Sequence, residues 1–304
     1  MFRKKSRLGI SVLKNFLLEK IFKYITSKST EMFLKGKDSI SINPQLYGYH
    51  EKELTELIIH IADCGNNDFL IDIGANIGLI SCQTGNSFQK VFCFEPNPLC
   101  FLILKANTEI MLDFKKTFLF NFGFGTKDEE LTLIIPKHNW GGGFLKSKEN
   151  SYNAFTLAKK DGFMSIEKEN YLEKKVHIKN TINFFKGFFL EIGSNNKQKK
   201  GVIKIDVEGM EKVILEGISK ALPENLFAYI IFENWDRSID LQMIKKFFSN
   251  RKIEILKLNF DLPYKKEYSK LYKLIKLIFG KIEVKLENAE HLEDKTGDLI
   301  ISIS

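Results

Sequence analysis

The sequence of 304 residues predicts an α/β fold, in which helices cover both faces of a mostly parallel sheet. Short apolar runs alternate with stretches of helical periodicity through about residues 51–260. Three of these runs end in an acidic residue, Asp72, Glu95 or Asp206, at the edge where such sheets bind ligands. No apolar run reaches the roughly 18 residues of a spanning helix, and a hydrophobic content of 44% excludes a wholly disordered chain.

The positive charge of the chain is concentrated at its N-terminus. The formal net charge is +8, and residues 1–28 carry eight basic residues against the single acid Glu19. Eight minus one gives +7 for this segment, which leaves +1 for residues 29–304. A nucleic-acid enzyme spreads its basic residues along a groove, so this distribution argues against a nucleic-acid partner.

Residues 1–50 are predicted to form a basic, amphipathic helical extension to a main domain at residues 51–304. The apolar positions with helical spacing are Leu8, Val12, Phe16, Ile21 and Ile25. The extension either contacts a membrane surface or docks on the main domain, and docking is favoured because such helices are common in soluble proteins. No secretory signal is evident, so a cytoplasmic location is expected, and the first alternative would add peripheral contact of residues 1–28 with the inner face of the membrane.

The first half of the main domain shows a regular alternation of elements. Helices are predicted at 51–61 and 77–87, and strands at 69–73, 91–94, 118–122 and 131–135. A further helix begins at Asn97-Pro98, because Asn caps helix N-termini and Pro suits the first turn.

The alternation is interrupted in the middle of the domain and then resumes. Residues 141–200 open with Gly141-Gly142-Gly143 and are predicted to form an irregular insertion. The later predicted elements are strands at 201–206, 226–232, 253–258 and 298–304, and helices around 210–218 and at 241–248.

The first motif with chemical meaning runs from Asp72 through Gly74 and Asn76 to Gly78. Gly74 permits a tight turn, and Glu95, at the end of the next strand, is placed to accept the hydroxyls of a ribose. Dinucleotide sites prefer a glycine where this chain has Asn76, and Asp72 would repel a pyrophosphate. The motif therefore favours S-adenosylmethionine, with its cationic amino-acid end, over NAD.

The second motif is Lys204-Ile-Asp206-Val-Glu208-Gly-Met-Glu211. Its acidic residues lie at the carboxyl edge of the sheet, where they suit catalysis. Glu208 has a structural alternative, because an acid at a helix N-terminus stabilises the helix dipole by about 0.3–1 kcal/mol.

These two motifs, together with Phe94–Pro98, Asn107, Asn121 and Phe232-Glu233, resemble the FkbM-type S-adenosylmethionine-dependent methyltransferases over about residues 68–235. The resemblance implies a Rossmann-like class I methyltransferase sheet of seven strands, with the last strand antiparallel. It also implies methyl transfer to an oxygen, often a sugar or polyketide hydroxyl. On this reading Asp72 and the loop Gly74–Gly78, including Asn76, hold the methionine and ribose parts of the cofactor, Glu95 holds the ribose hydroxyls, and Asn121 or Phe122 lies near the adenine.

A sugar hydroxyl must lose its proton as it attacks, so the site needs a base. Asp206 is the first candidate and Glu208 the second, and His138 beside Trp140 is a third. The alternative for His138 and Trp140 is a surface turn, although Trp140 could stack on a sugar ring. Asp206, Glu233 and Asn234 also offer three oxygen ligands for Mg²⁺, as in catechol-type O-methyltransferases, whereas Glu233 could simply shape the pocket.

The sequence thus predicts an S-adenosylmethionine-dependent O-methyltransferase that acts on a sugar hydroxyl in surface-polysaccharide or lipid-linked glycan biosynthesis. Two alternatives remain at this point. One is an NAD-dependent oxidoreductase on the same nucleoside-binding fold, and the other is a non-catalytic binding protein.

Overall fold

A computed structural model describes residues 8–146, 154–193, 198–234, 238–261, 283–291 and 297–304. The strands are β1 (Phe69–Ile73), β2 (Val91–Phe94), β3 (Thr117–Phe120), β4 (Gly123–Gly125), β5 (Glu129–Pro136), β6 (Phe144–Lys146), β7 (Tyr171–Asn180), β8 (Lys199–Ile205), β9 (Leu226–Glu233), β10 (Ile253–Asp261), β11 (Glu283–Asn288) and β12 (Asp298–Ile303). The helices are α1 (Leu8–Ile25), α2 (Ile42–Tyr47), α3 (Lys52–Asp63), α4 (Ser81–Thr84), α5 (Pro98–Met111), α6 (Ala154–Asp161), α7 (Thr181–Ile192), α8 (Glu211–Ala221) and α9 (Leu241–Phe247).

The main sheet has the order β11-β10-β12-β9-β8-β1-β2-β3. Strands β3, β2, β1, β8 and β9 are parallel, and β12 inserts antiparallel between β9 and β10, as predicted for the last strand. The predicted number of seven strands is wrong by one, because β11 adds an eighth, antiparallel strand beside β10. This strand lies in the part of the chain that the family resemblance does not cover.

Helices cover both faces of this sheet, and each face has its own apolar core. On one face α7, α8 and α9 pack against side chains such as Ile71 and Ile203. On the other face α3 and α5 pack against side chains such as Leu70 and Val202. Neighbouring residues of one strand thus point into different cores, which explains why β1 and β8 read as continuous apolar runs.

The segment 141–200, predicted to be an irregular insertion, contains regular structure. Strands β4, β7, β5 and β6 form a second sheet in that order, and α6 and α7 belong to the same segment. The prediction missed β7 because Glu173-Lys174-Lys175 interrupts its alternation with three exposed charges in a row. The irregular insertion is therefore corrected to a folded layer that packs on the main sheet through Val176, Ile178 and Phe185.

The helix predicted at 77–87 is also wrong in most of its length. It consists of turns, the four-residue helix α4 and a short 3-10 turn. Asn76 and Gly78 have φ angles of 53° and 89°, and these left-handed conformations cannot belong to a right-handed helix. The chain after β1 therefore forms a glycine loop, residues 74–80, before α4 begins.

Helix α1 confirms the predicted helix within the N-terminal extension but not its docking. Every residue from 13 to 25 is exposed, including Leu13, Phe16 and Phe22 at 61%, 54% and 66%. The favoured interpretation, in which this helix docks on the main domain, is therefore wrong for these residues. Within the described part of the chain, no helix is both long and apolar enough to cross a membrane.

The four cysteines are not paired. Cys82, Cys93 and Cys100 are buried around the glycine loop, and Cys64 at the end of α3 is exposed. The three buried thiols therefore pack as small apolar side chains.

Candidate active site

The principal pocket lies beyond the carboxyl ends of β1, β2 and β8, as expected for an open α/β sheet. The space between its lining atoms is about 610 Å³, a volume that includes the open mouth. Gly74, Glu95, Asp206 and Glu208 supply its polar edge. Its apolar wall is lined by Phe94, Phe122, Phe124, Leu133, Trp140, Leu145, Met210 and Ile214.

Gly74 turns the chain out of β1 and brings two strand ends together. Its φ angle is +86°, and a Cβ atom there would lie 1.8 Å from the carbonyl oxygen of Asp206. The backbone N–H of Asp206 donates to the carbonyl of Ile73 at 2.9 Å. The missing side chain of Gly74 therefore lets the loops after β1 and β8 meet at the pocket floor.

The carboxylate of Glu95 is held in one orientation by backbone groups. Its Oε2 accepts from the N–H of Asn76 at 2.8 Å, and its Oε1 accepts from the N–H of Asn97 at 2.7 Å. Burial raises the pKa of Glu95 to about 7, although the two backbone N–H groups oppose the shift. A fixed carboxylate at the pocket edge retains lone pairs that can accept the hydroxyls of a ribose.

Beneath the pocket floor, Lys204 connects two carboxylates. Its Nζ lies 2.7 Å from Oδ2 of Asp206 and 3.9 Å from Oδ1 of Asp72, and its side chain is 6% exposed. Burial disfavours its charge, but Asp206 and Asp72 outweigh burial and raise the pKa of Lys204 above its ordinary value. The ammonium thus fixes Asp206 between the principal pocket and a second recess.

That second recess, the acidic hollow, is lined by four carboxyl groups, Lys204 and apolar side chains. The carboxyl groups belong to Glu51, Asp206, Glu233 and Asp298. Partial burial, followed by the charge of Asp206, raises the pKa of Glu233 to about 8. Burial, followed by the charge of Glu51, raises the pKa of Asp298 to about 7. Asp206 lines both recesses, so it faces whatever occupies either one.

Comparison with known proteins identifies the family. The methyltransferase FkbM domain matches residues 72–238, which is more than half of the chain and contains both motifs.

The chain belongs to the FkbM methyltransferase family.

Two relatives agree with this assignment. Methyltransferase sdnD of Sordaria araneosa is 23% identical over 195 residues, or 62% of this chain and 74% of its own length. Hexuronic acid methyltransferase AglP of Haloferax volcanii is 27% identical over 213 residues, or 69% of this chain and 74% of its own length. The family and these relatives establish the protein as an S-adenosylmethionine-dependent methyltransferase, which excludes the NAD-dependent and non-catalytic alternatives.

Solved structures include distant likenesses. Precorrin-6y C5,15-methyltransferase of Geobacter metallireducens has a TM-score of 0.38 at 12% identity, covering 93% of this chain and 98% of that one.

The pocket of this FkbM methyltransferase gathers only part of the predicted cofactor set. Gly74, Glu95 and Phe122 line it. Asp72 does not, because it is 1% exposed and accepts a hydrogen bond from Ser81 beneath the floor. The structure thus places Asp72 behind the residues that line the pocket, and its contact with the cofactor stays a prediction.

Three more predicted cofactor residues shape loops of the FkbM methyltransferase and do not line the pocket. Asn76 gives its backbone N–H to Glu95, and Gly78 packs against Cys82 and Leu104. Asn121 donates its side-chain amide to the carbonyl of Glu95 at 2.8 Å. The contacts seen for these residues are with protein groups around the pocket, and their contacts with the cofactor stay predictions.

Asp206 and Glu208 line the pocket as predicted, but His138 does not. The imidazole is exposed and packs edge-on against Phe163, with ring centres 5.5 Å apart. The 3-10 turn at Trp140–Gly142 places Trp140 at the pocket instead. The prediction of His138 as a base is wrong for this reason.

One of the three predicted metal ligands is also misplaced. Asn234 is 2% exposed, and its side-chain amide donates to the carbonyl of Ile239 at 2.9 Å and accepts from the Ile239 N–H at 3.2 Å. Both ends of the amide are thus bonded to backbone, and the predicted ligand role of Asn234 is wrong. Among the residues that the structure describes, no three His, Cys, Asp or Glu side chains are grouped as a metal site.

Sequence reasoning missed most of the apolar wall. Leu133 and Leu145 come from the second sheet, and Met210 and Ile214 come from the start of α8. Asn97, which also lines the pocket, was identified from the sequence only as the cap of α5. The structure confirms this cap, because its side-chain oxygen accepts from the Leu99 N–H at 3.0 Å. Its side-chain amide also donates to the carbonyl of Trp140 at 3.2 Å, a contact across 43 residues that no local pattern indicates.

Proposed function

We propose that the principal pocket binds S-adenosylmethionine, with Gly74 beside the methionine part, Glu95 at the ribose hydroxyls and the apolar wall around the adenine. Two observations support the fit. Gly74 and Glu95 line the same pocket, and the Glu95 carboxylate is oriented by two backbone N–H groups. Bound S-adenosylmethionine supplies an electrophilic methyl group, so the chain's own task is to position an oxygen and accept its proton.

Asp206 is proposed as the base that accepts this proton. It faces both recesses, its carboxylate is held by Lys204, and its side chain is 47% exposed. Glu208 lies at the same edge, where it forms a bridge with Phe144 of the second sheet. We assign Glu208 to the acceptor side of the pocket, as the second candidate for the base.

The acceptor is proposed to be a sugar hydroxyl in surface-polysaccharide or lipid-linked glycan biosynthesis. Carboxylates accept hydrogen bonds from hydroxyls, and the acidic hollow presents three further carboxyl groups next to Asp206. The relative AglP is a hexuronic acid methyltransferase, which supports a carbohydrate acceptor. A hexuronic acid carries a carboxylate, however, which the negative charge of Asp206 in the acidic hollow would repel, so we propose a neutral sugar unit here.

A calorimetric titration with S-adenosylhomocysteine tests the cofactor assignment. The wild type should bind, Glu95→Ala should bind on the order of tenfold more weakly through loss of charge-assisted hydrogen bonds, and Asp206→Asn should bind nearly as well as wild type. NAD titrated in parallel should give no heat. If Glu95→Ala bound S-adenosylhomocysteine as tightly as the wild type, the assignment of the cofactor to this pocket would be contradicted.

Transfer of labelled methyl groups to neutral and acidic glycans tests the acceptor. Neutral acceptors should be methylated, and Asp206→Asn should lower kcat by roughly 10²–10⁴-fold if it removes the general base. Preference for acceptors with a carboxylate would contradict the proposal.

The proposed mechanism does not use Mg²⁺. The side-chain amide of Asn234 is hydrogen-bonded to the backbone of Ile239, and among the described residues no three potential ligands lie together. Activity should therefore survive dialysis against a chelator, and activity restored only by added Mg²⁺ would reinstate the metal.

We further propose that residues 1–28 contact an anionic membrane surface. The described side chains from Leu13 to Ile25 are exposed, and this apolar helix lies in a segment of net charge +7. Apolar side chains and basic residues together favour the interface of an anionic bilayer. No docking on the main domain competes for these side chains.

Co-sedimentation with vesicles tests this contact. The full chain should sediment with vesicles that contain phosphatidylglycerol and much less with phosphatidylcholine alone, and a chain without residues 1–28 should remain in solution. Equal partitioning of the two chains would remove the membrane proposal and leave the cofactor assignment intact.

A further inference from the structure

Residues 29–41, which we call the strap, follow the N-terminal helix and pack against the glycine loop and Trp140. Met32 is 6% exposed and packs with Ile77 and Leu79 of the glycine loop. Leu34 and Ile40 pack against the same cluster, as does Trp140. The strap therefore touches both the loop under the cofactor pocket and the residue at its wall.

Asn107 of α5 fixes the strap to the glycine loop. Its side-chain oxygen accepts from the N–H of Phe33 at 2.6 Å, and its amide donates to the carbonyls of Phe33 at 3.1 Å and Ile77 at 2.7 Å. The residue is fully buried. Three buried hydrogen bonds from one amide make this attachment costly to release.

Asp38 and Lys35 hold Trp140 from the other end of the strap. Asp38 is 3% exposed, and its Oδ2 accepts from the backbone N–H of Trp140 at 3.2 Å. Lys35 lies 3.4 Å from the same carboxylate oxygen, and its ammonium lies 4.9 Å from the centre of the Trp140 ring. The Lys35 ammonium also donates to the carbonyl of Lys137 at 3.1 Å, and this hydrogen bond attaches the strap to the chain just before the turn at Trp140–Gly142.

We infer that the strap holds Trp140 in the wall of the cofactor pocket and that Asp38 is the positioning residue for this wall. The inference rests on the proposed cofactor site, since Trp140 lines the pocket together with Glu95 and Asn97. Asp38 acts through its buried carboxylate, which fixes the Trp140 backbone directly and orients the Lys35 ammonium over the indole. The strap lies 102 residues before Trp140 in the chain at this contact, so it brings a distant segment to the rim.

The test combines tryptophan fluorescence with S-adenosylhomocysteine binding, in a Trp235→Phe background that leaves Trp140 as the sole tryptophan. Asp38→Ala should make Trp140 emission red-shifted and more readily quenched by acrylamide, and should weaken S-adenosylhomocysteine binding about tenfold. Asp38→Asn keeps an oxygen for the Trp140 N–H, so it should restore most of the wild-type emission. Lys35→Met should shift the emission of Trp140 without changing the affinity for S-adenosylhomocysteine.

Asp68→Ala is the matched control. Asp68 also accepts from a backbone N–H, that of Lys200 at 2.9 Å, and pairs with a lysine, Lys199 at 3.0 Å, but it lies at the opposite end of β1 and β8. This variant should lose stability without moving Trp140 emission or S-adenosylhomocysteine affinity. If Asp38→Ala behaved like Asp68→Ala in both readouts, the inference would be overturned.

The two proposals fail in different ways. If Glu95→Ala binds S-adenosylhomocysteine normally, the cofactor pocket is misassigned, yet the quenching of Trp140 still reports whether Asp38 holds it. If Glu95→Ala binds weakly while Asp38→Ala leaves both quenching and affinity unchanged, the cofactor pocket stands and the strap loses its positioning role.

Discussion

At the scale of single residues, Gly74 carries the strictest demand. It combines a φ angle of +86° with a Cβ position 1.8 Å from the Asp206 carbonyl oxygen, so an alanine would strain the turn and push two strand ends apart. We expect Gly74→Ala to lower the free energy of unfolding by on the order of 3–5 kcal/mol, measured by urea denaturation.

Gly65 separates the two contributions. Its φ angle is +88°, but no atom lies within 4 Å of its Cβ position. Gly65→Ala therefore isolates the strain of the left-handed backbone, about 1–2 kcal/mol. Equal costs for the two variants would show that the contact with Asp206 contributes nothing.

We expect the titration of Glu95 to make cofactor binding depend on pH. Because its pKa is raised to about 7 by burial, the folded protein holds a proton at this residue between about pH 4.5 and 7 that the unfolded chain has lost. This group therefore contributes less stability as the pH rises through that window, whereas the ionised form needed to accept ribose hydroxyls becomes more populated.

Affinity for S-adenosylhomocysteine should accordingly be about tenfold higher at pH 8 than at pH 6, because the ionised fraction of a group with a pKa of about 7 changes by that factor. Calorimetry at both values measures it. Glu95→Gln should bind weakly with little dependence on pH, and a full slope in that variant would assign the titration to another group.

Individual residues were predictable where a local pattern placed them and not where a distant segment did. Gly74, Glu95, Asp206 and Glu208 were identified from strand ends and turns, and all four line the pocket. Asp72 does not line the pocket, and its partners Ser81 and Lys204 are contacts that the sequence motif did not indicate. Trp140 was weighed against a surface turn, because Asp38 and Asn97, which hold it, are far away in the chain.

At the scale of elements, α7 contributes four Phe side chains to one of the two apolar cores. Its four Phe side chains pack with those of β2 and the second sheet, and Phe185 lies 4.9 Å from Phe124 between ring centres. Phe185 is fully buried, so Phe185→Ala should reduce the free energy of unfolding by about 3–5 kcal/mol. Leu190→Ala on the same helix, where the side chain is 69% exposed, should stay within about 0.5 kcal/mol of wild type.

Chemical denaturation of both variants gives the comparison. A small effect of Phe185→Ala would mean that neighbouring rings close the cavity, because the cost of such a substitution depends on how far the site collapses.

Most of the main-sheet elements were predictable because their periodicity is local. Strands of the parallel centre such as β1 and β2 are continuous apolar runs, and the Asn97-Pro98 start of α5 is a recognised cap. The second sheet was missed because β5 and β7 pair across a long connection and β7 shows three charges in succession. Asn180, whose side chain accepts from the Asn183 N–H at 2.9 Å, was a usable signal for the start of α7.

At the scale of the whole molecule, the folded body begins at the strap and not at the predicted boundary near residue 50. Residues 13–25 are exposed, whereas Met32 and Asp38 are 6% and 3% exposed. Removal of residues 1–28 should therefore leave the thermal midpoint and S-adenosylhomocysteine affinity close to those of the full chain.

Removal of residues 1–41 should lower both, because it exposes the glycine loop and releases Asn107 and Trp140. Calorimetric melting of the two truncated chains, with and without S-adenosylhomocysteine, makes the comparison. Equal midpoints for the two would place the body's boundary after the strap.

The cysteines differ in exposure, so the rates at which they react with a thiol reagent report local opening of the structure. A maleimide reagent should modify Cys64 at once, whereas Cys82, Cys93 and Cys100, at most 2% exposed, wait for the surrounding structure to open. Burial also raises the pKa of Cys82 to about 12, so reaction before opening is negligible. The slow increases in mass therefore report how often the structure around the glycine loop opens. A ligand that stabilises the loop should slow the modification of these three cysteines.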